Sequence, residues 1–243
     1  MKENIYGRIH SVETLGAVDG PGIRVVIFVQ GCRLRCLYCH NPDSWKLAGG
    51  KLTSAKEVVN TVLSYSPFIE NGGVTISGGE PLLQPDFVAE VLRLCKNEGI
   101  HTAVDTAGSV DLQIAKKVID LSDMLLLDIK DLNEQDSIKL CGISPTNCLE
   151  TLNYCEKIHK RVWIRHVLVP GLTLQTTKLE NLASYLEAFT CVELVELLPF
   201  HKLGEYKWHD LNFNYQLENV QPPTEDDLKK AALIFKLHGI KTH

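Results

Sequence analysis

The chain has 243 residues, of which 44% are hydrophobic and 23% are charged, and its formal net charge is −5 at pH 7. The negative charge argues against a protein that binds nucleic-acid backbones through a basic surface. The N-terminus has no signal-like apolar segment, and no stretch of 18 apolar residues follows. We therefore expect a cytoplasmic protein with neither a membrane nor a nucleic-acid partner.

Short apolar, β-branched runs alternate along the chain with segments of helical periodicity. The runs cover residues 23–31, 73–77, 101–106, 124–130, 162–169 and 192–200. The helical segments cover residues 53–65, 85–99, 111–122, 146–160, 176–189 and 224–239. The last segment opens with Thr224 as its cap and ends at Gly239. This alternation indicates βαβ units, and the nearly continuous hydrophobicity is typical of parallel strands covered on both faces.

Six such units are too few for an eight-fold barrel, so an incomplete barrel or a wide open sheet fits them best. We predict an α/β fold, an incomplete (β/α)6 TIM-like barrel with parallel strands, in a single domain over 1–243. In both architectures, chemistry takes place at the carboxyl ends of the strands. Functional side chains should therefore follow the apolar runs.

Three cysteines lie in the loop 31–41, which follows the first predicted strand, and they are spaced Cys-x3-Cys-x2-Cys. Cys36, Cys39 and His40 also match the pattern for covalent haem, but c-type haem is attached outside the cytoplasm. A zinc site would require the adjacent Cys39 and His40 to share one ion, and the sequence has no second ligand pair. Three thiolates suit three irons of a cubane cluster, with one iron left open. The other cysteines are expected to be small buried residues: Cys95, Cys141, Cys148, Cys155 and Cys191.

Polar residues follow several of the other runs. The second run ends in Gly78, Gly79 and Glu80, which form either a tight turn or a close approach of bare backbone to a ligand. Acidic side chains at the ends of apolar strands are costly unless they are paired. Asp128 and Asp105 would either have structural roles, Asp128 in a local ion pair with Lys130 and Asp105 as a helix cap, or form part of a functional site. Further polar residues in or after these runs are Thr106, Arg165 and His201.

Several of these segments together resemble the radical S-adenosylmethionine enzymes. They are GCRLRCLYCHN, SGGEP, DTAG, LLDIK, WIRHVLVPG and LLPFHKLGEYKW. The segments DGPGIR and PFHKLGEYKW resemble in particular the activases of glycyl-radical enzymes, and the similarity extends over essentially the whole chain.

The resemblance implies two cofactors, a [4Fe-4S] cluster and S-adenosylmethionine. The cluster would be held by Cys32, Cys36 and Cys39, and its open iron would be chelated by S-adenosylmethionine. The cofactor contacts would come from Tyr38, Cys39, His40, Gly78, Gly79, Glu80, Asp128, Ile129, Lys130, Arg165 and His201. A site for Na⁺ or K⁺ would be formed by Asp105, Thr106, Asp128 and the carbonyl of Leu126. No catalytic residue is expected beyond the cofactor and the cluster, because the cofactor performs the difficult step.

The implied reaction is reductive cleavage of S-adenosylmethionine, followed by hydrogen-atom abstraction from a glycine of pyruvate formate-lyase. The implied electron donor is reduced flavodoxin or ferredoxin, and we expect the chain to be a monomer. The loop 18–24 is either a plain turn or a binding segment for the partner, through Asp19, Gly20 and Gly22.

Three alternatives remain open. The chain could activate another glycyl-radical enzyme, although many such activases carry extra cysteines that residues 40–77 lack. It could act on a small molecule, as a carboxydeazaguanine synthase does. Outside the enzymes, it could be a zinc-binding interaction module.

Overall fold

The computed structural model describes residues 4–243 as alternating strands and helices. The strands are β1 (Tyr6–Gly16), β2 (Arg24–Val29), β3 (Lys51–Ser54), β4 (Gly73–Gly78), β5 (Thr102–Thr106), β6 (Met124–Asp128), β7 (Arg161–Leu168) and β8 (Val192–Pro199). The helices are α1 (Ala55–Ser64), α2 (Pro85–Asn97), α3 (Leu112–Leu121), α4 (Glu134–Cys141), α5 (Thr146–Lys157), α6 (Thr176–Leu186), α7 (Glu205–Asp210) and α8 (Glu225–Leu237). All six predicted strands and all six predicted helices are present.

The strands form one mostly parallel sheet in the order β3-β1-β2-β4-β5-β6-β7-β8. The ladders β2–β4, β4–β5 and β7–β8 are parallel, whereas β1 pairs in the antiparallel sense with both β2 and β3. Within residues 4–243, β3 and β8 are the two ends of this order, so the sheet is not closed. The prediction of an unclosed α/β fold with parallel strands is confirmed.

Two strands, β1 and β3, and two helices, α4 and α7, were not predicted from the sequence. The cysteine loop does not follow the first strand of the chain, as predicted, but the second, because β1 precedes β2. β1 alternates between buried and exposed residues and contains few consecutive apolar residues, so it lacks the signal of a fully buried strand. The short β3, α4 and α7 likewise provide too few residues for a clear periodicity.

The helix boundaries follow local capping chemistry. Ser54 and Glu57 form a reciprocal capping box at the start of α1. Thr224 and Asp227 do the same at the start of α8, as the Thr224 prediction required. Gly239 follows α8 with a φ of 73°, a left-handed conformation that favours glycine.

The contacts divide the chain into two compact units, which are described separately. Unit 1 contains the residues up to Arg33 together with Ser44–Leu126, and unit 2 contains Leu34–Asp43 together with Leu127–His243. The core of unit 1 includes Val25, Val26, Val74, Val91 and Leu92, all fully buried. The core of unit 2 includes Leu152, Ile164, Leu168, Val195 and Phe235, also fully buried. The single domain over 1–243 stays a prediction.

None of the helices described between residues 4 and 243 has the length and apolar composition needed to cross a bilayer.

Candidate functional site

The cysteine loop begins in unit 1, where main-chain hydrogen bonds fix its first residues. Gly31 N–H donates to the Ser44 carbonyl at 2.7 Å, and Cys32 N–H donates to the Trp45 carbonyl at 3.3 Å. The Cys32 side chain is 8% exposed. None of the eight cysteines forms a disulfide. The first cysteine of the motif is therefore a buried thiol held by its own backbone.

The rest of the cysteine loop belongs to unit 2. Cys39 N–H donates to the Cys36 carbonyl at 3.0 Å and closes a turn between the two cysteines. The indole N–H of Trp208 donates to the Cys39 carbonyl at 2.8 Å. Both residues are half-buried. This end of the loop is therefore tied to α7, an element that the sequence analysis did not predict.

Cys36 has a thiol neighbour that the sequence analysis assigned to the core. A hydrogen bond with the Cys141 thiol, together with burial, raises the pKa of Cys36 well above its usual value. The same hydrogen bond lowers the pKa of Cys141 to about 6. Cys141 is buried as predicted, with 1% of its surface exposed. Beyond packing in the core, it forms a hydrogen bond with a residue of the cysteine motif.

Lys130 of unit 2 is held by a carboxylate and an aromatic ring. Its Nζ lies 2.9 Å from Asp128 Oδ2 and 5.5 Å from the centroid of the Tyr38 ring. Burial, the largest single effect, would lower the pKa of Lys130. The charges of Asp128, Tyr38 and Cys36 and the hydrogen bond to Asp128 together outweigh it and raise the pKa well above its usual value. The Tyr38 hydroxyl is buried and has no hydrogen-bond partner among the described residues. The ion pair proposed from sequence exists, and it lies beside a residue of the cysteine loop.

Ile129 contacts its neighbours through its backbone, and its side chain is buried. Its N–H donates to the Arg165 carbonyl at 3.1 Å, and its carbonyl accepts from His166 Nδ1 at 2.8 Å. The side chain is 1% exposed. His166, which the sequence analysis did not select, thus fixes the segment between Asp128 and Lys130. Burial lowers the pKa of His166, which favours its neutral form.

Arg165 forms an ion pair with a residue that the sequence analysis also missed. Its Nε lies 3.2 Å from Oε2 of Glu196, and the two residues are direct neighbours in the β7–β8 ladder. They are 9% and 8% exposed, respectively. Strand alternation could have identified Glu196, because it is an acidic residue within an apolar run.

His40 and His201 stack on each other in unit 2. Their ring centroids are 4.1 Å apart with an interplanar angle of 25°, and His40 Nε2 donates to the His201 carbonyl at 3.1 Å. Burial, with a smaller effect of His201, lowers the pKa of His40. A Cβ at Gly204 would lie 2.5 Å from the Cα of His40, so only glycine fits there. The two predicted histidines therefore form one flat aromatic unit.

The Gly-Gly-Glu segment of unit 1 lies against the end of β2. Gly79 N–H donates to the Val29 carbonyl and Glu80 N–H donates to the Gly31 carbonyl, both at 2.9 Å. A Cβ at Gly79 would lie 2.3 Å from the Gly31 oxygen, and Gly78 has a φ of 115°. The chain itself therefore requires both glycines, whether or not a ligand also approaches them.

Glu80 is buried, and four hydrogen bonds from unit 1 reach its carboxylate. Oε1 accepts from the Thr106 hydroxyl and from Leu82 N–H, and Oε2 accepts from Ala107 N–H and the Ser109 hydroxyl. Burial is the larger effect and raises the pKa of Glu80, although these hydrogen bonds act in the opposite direction. The contacts of Glu80 with Thr106, Ala107 and Ser109 were not foreseen, because these residues lie 26 to 29 positions away along the chain.

Two of the predicted cation ligands, Asp105 and Thr106, have hydrogen-bond partners within unit 1. In unit 1 the Ser77 hydroxyl donates to Asp105 Oδ2 at 2.7 Å, whereas the Thr106 hydroxyl is directed at Glu80. Leu126 is also in unit 1 and fully buried, and Asp128 belongs to unit 2. Over residues 4–243, no three His, Cys, Asp or Glu side chains are grouped as ligands of a single metal ion. The cation site stays a prediction.

The loop 18–24 is a tight turn at the amino end of β2. Gly20 and Gly22 have φ values of 115° and 71°, and a Cβ at Gly22 would lie 2.0 Å from the Asn71 carbonyl oxygen. Arg24 is fully buried, and its guanidinium donates to Thr75 Oγ1 at 2.6 Å. Burial lowers the pKa of Arg24 to about 10. The glycines of this loop therefore have a structural role, and their role in binding a partner stays a prediction.

Asp19 is joined to β4 through its backbone. The Thr75 hydroxyl donates to the Asp19 carbonyl at 2.6 Å. Arg24 pairs with Gly73 at one end of the β2–β4 ladder, and Val29 pairs with Gly78 at the other. The predicted partner loop thus lies at the opposite end of this ladder from the Gly-Gly-Glu segment.

Comparison with known proteins gives consistent results. Residues 26–183 match the family model of the Radical SAM superfamily. The chain is 45% identical over 234 residues to the pyruvate formate-lyase-activating enzyme of Clostridium pasteurianum, an alignment that covers 96% of this chain and 98% of the relative. It is 40% identical over 242 residues to the pyruvate formate-lyase 1-activating enzyme of Escherichia coli K12, covering 98% of each.

Among solved structures, a radical SAM methyltransferase from Sphaerobacter thermophilus superposes with a TM-score of 0.68. The match covers 98% of this chain and 76% of that protein, at 16% identity. At that identity the similarity supports the fold alone.

Proposed function

Because the chain belongs to the radical SAM superfamily, and within it to the family of pyruvate formate-lyase-activating enzymes, we propose that it forms the glycyl radical of pyruvate formate-lyase. As a member of this superfamily it is an enzyme that uses a [4Fe-4S] cluster and S-adenosylmethionine. The observation that carries the proposal is an identity of 40–45% over nearly the full length of both chains.

We assign the cluster to Cys32, Cys36 and Cys39. Three thiols outside any disulfide, within one short loop after a buried strand, suit a cubane with one open iron. When bound, the cluster would supply the electron for reductive cleavage of S-adenosylmethionine, and the cofactor would supply the radical chemistry that removes a hydrogen atom from glycine. The chain's own residues bind, orient and shield these groups.

Unit 2 provides the aromatic and cationic part of the proposed cofactor site. The stacked His40 and His201 present a flat surface suited to an adenine ring. Lys130, fixed by Asp128, provides a permanent positive charge for the cofactor carboxylate. The Arg165–Glu196 pair adds donors and acceptors that suit ribose hydroxyls.

Unit 1 provides the Gly-Gly-Glu segment, which we assign to the methionine end of the cofactor. Hydrogen-bond donors of the chain itself already bind the Glu80 carboxylate. Glu80 therefore fixes the loop and places negative charge near the cofactor ammonium. We retain Asp105, Thr106, Asp128 and the Leu126 carbonyl as candidate ligands for Na⁺ or K⁺, with Asp19, Gly20 and Gly22 as partner contacts. We further propose a cytoplasmic monomer reduced by flavodoxin or ferredoxin.

Two other functions within the superfamily would use the same cofactors. They are activation of a different glycyl-radical enzyme and reaction with a small molecule. The relatives named above favour pyruvate formate-lyase over both. Membership in the superfamily displaces the zinc-module hypothesis, and analysis of iron and sulfide in anaerobically purified protein would test that point.

The decisive experiment is anaerobic activation of purified pyruvate formate-lyase. The full chain with its cluster is photoreduced with S-adenosylmethionine and the partner, and the sample is examined by electron paramagnetic resonance. We expect a glycyl-radical signal, absent when the radical glycine of the partner is replaced by alanine. Formation of 5′-deoxyadenosine without that signal, with a competent partner, would favour a small-molecule substrate.

A further inference from the structure

Two thiols of unit 2 that are far apart in sequence are held together. Arg35 N–H donates to the Cys141 carbonyl at 2.8 Å, and Leu37 N–H donates to the Leu140 carbonyl at 2.9 Å. Cys36 lies between these two anchored residues, and its thiol shares a hydrogen bond with the Cys141 thiol. The backbone on both sides of the pair is thus fixed before any bond forms between the sulfurs.

The end of α4 holds Cys141 in place. Its thiol donates to the Ser137 carbonyl at 3.1 Å, one turn earlier in the helix. The helix ends at Gly142, which has a φ of 83°. A Cβ at Gly142 would lie 3.7 Å from the Cβ of Arg35, so the cysteine loop passes close to the helix cap. A rigid position of this kind is what a disulfide partner requires, because disulfide geometry is narrow.

The two residues differ in their exposure to solvent. Cys36 is half-buried, whereas Cys141 is 1% exposed. By the exposure of the whole residue, a small oxidant in solution reaches Cys36 before Cys141. The Cys141 residue is shielded from solvent, but its thiol contacts the Cys36 thiol. It is therefore positioned to react with an oxidised form of Cys36.

We propose that Cys141 is a resolving thiol, which forms a disulfide with Cys36 when the cluster-free chain meets a hydroperoxide. In the first step the Cys36 thiol and hydrogen peroxide give a sulfenic acid and water. In the second step the Cys141 sulfur attacks the Cys36 sulfur, the S–O bond breaks, and a second water leaves. Two thiols are oxidised by two electrons in total, and the peroxide O–O bond is reduced.

The consequence for iron loading rests on the proposed role of Cys36 as a cluster ligand. A Cys36 thiol engaged in a disulfide cannot bind iron, so the oxidised chain cannot assemble its cluster until a thiol reductant restores it. The disulfide also protects Cys36, since a sulfenic acid without a partner can proceed to irreversible sulfinic and sulfonic acids. Cys141 thereby makes oxidation of the cluster loop reversible.

Disulfide mapping of the wild-type chain tests the bond directly. The full chain is freed of iron by chelation, treated with hydrogen peroxide, alkylated, digested and analysed by mass spectrometry. We expect a peptide pair joined through Cys36 and Cys141, which disappears after reduction with dithiothreitol. Recovery of Cys36 joined mainly to Cys39 or Cys32, or of both thiols alkylated after peroxide treatment, would overturn the proposal.

A matched pair of variants then tests whether the Cys36–Cys141 disulfide is what makes oxidation of Cys36 reversible. Cys141→Ser should lose the disulfide and accumulate sulfinic or sulfonic acid on Cys36, whereas Cys148→Ser, which alters another buried cysteine of unit 2, should behave as wild type. Iron loading of peroxide-treated chain should be restored by dithiothreitol in wild type, and lost irreversibly in Cys141→Ser. If the disulfide forms but iron loading is unaffected, the assignment of Cys36 as a ligand is wrong and the disulfide stands.

Discussion

The ammonium group of Lys130 lies 2.9 Å from Oδ2 of Asp128, and only 13% and 21% of the two side chains are exposed. Each charge therefore depends on the other for compensation, because water reaches neither of them freely. This relationship makes Lys130 a sensitive position for separating cofactor binding from cluster assembly.

Replacing Lys130 with alanine should weaken S-adenosylmethionine binding while the cluster still assembles, since Lys130 is not a thiolate ligand. The variant should also lose roughly 2 kcal/mol of unfolding free energy, because a partly buried carboxylate remains without its partner. Titration calorimetry on the cluster-loaded chain measures the affinity. Lys139→Ala, which alters an exposed lysine of α4, is the control. Unchanged affinity in Lys130→Ala would assign Lys130 a purely structural role.

The three motif cysteines should be individually essential for the cluster. Alanine at Cys32, Cys36 or Cys39 should abolish the brown chromophore, because each thiolate holds a different iron. Iron analysis and visible absorption measure the effect. Cys95, Cys148 and Cys191, all buried, are the controls and should tolerate alanine without loss of iron. Iron lost from Cys148→Ala but retained in full by Cys36→Ala would contradict the assignment.

Asp19 is predicted to act on the partner and not on the cofactor. Asp19→Ala should reduce glycyl-radical formation in pyruvate formate-lyase, with cluster content and cofactor affinity preserved. The Thr75 hydroxyl is held by the Asp19 carbonyl, which the change keeps. The Asp19 carboxylate interacts with the buried Arg24 guanidinium, so the unfolding free energy of the variant is compared with that of wild type. Asp86→Ala, at an exposed site in the first turn of α2, controls for loss of negative charge from unit 1. Equal radical yields from Asp19→Ala and Asp86→Ala would mean that the loop 18–24 is a plain turn with no role in binding the partner.

His238 should make stability depend on pH. Its two ring nitrogens lie 2.7 Å from Glu187 and 3.0 Å from Glu180, and hydrogen bonds to Glu180 and Glu187 raise the pKa of His238. A raised folded-state pKa means that the stabilisation is fully present below the unfolded-state value of about 6.5 and disappears as pH rises through the folded-state value. Denaturant unfolding of wild type and His238→Gln across this range measures the difference. The two stabilities should converge at alkaline pH, and the combined variant Glu180→Gln, Glu187→Gln should remove most of the dependence.

The sequence by itself determined the repeating strand–helix order and the position of the cysteine loop. Both depend on interactions over a few residues. Apolar runs such as 124–130 form buried strands wherever they lie in the fold. Ser54 and Glu57 fix the start of α1 through hydrogen bonds three residues apart. Because such signals are local, one chain without its structure is enough to detect them.

Only the tertiary structure decided which side chains meet. Glu80 with Thr106, Arg165 with Glu196, and Cys36 with Cys141 are pairs separated by 26, 31 and 105 positions. No periodicity links such positions, because their contacts arise from strand register and from where a helix ends. β1 was missed for a related reason, since it is stabilised by the ladders it forms with β2 and β3 and not by a continuous apolar run. Local chemistry thus specified the elements, and long-range packing specified the partners of the functional residues.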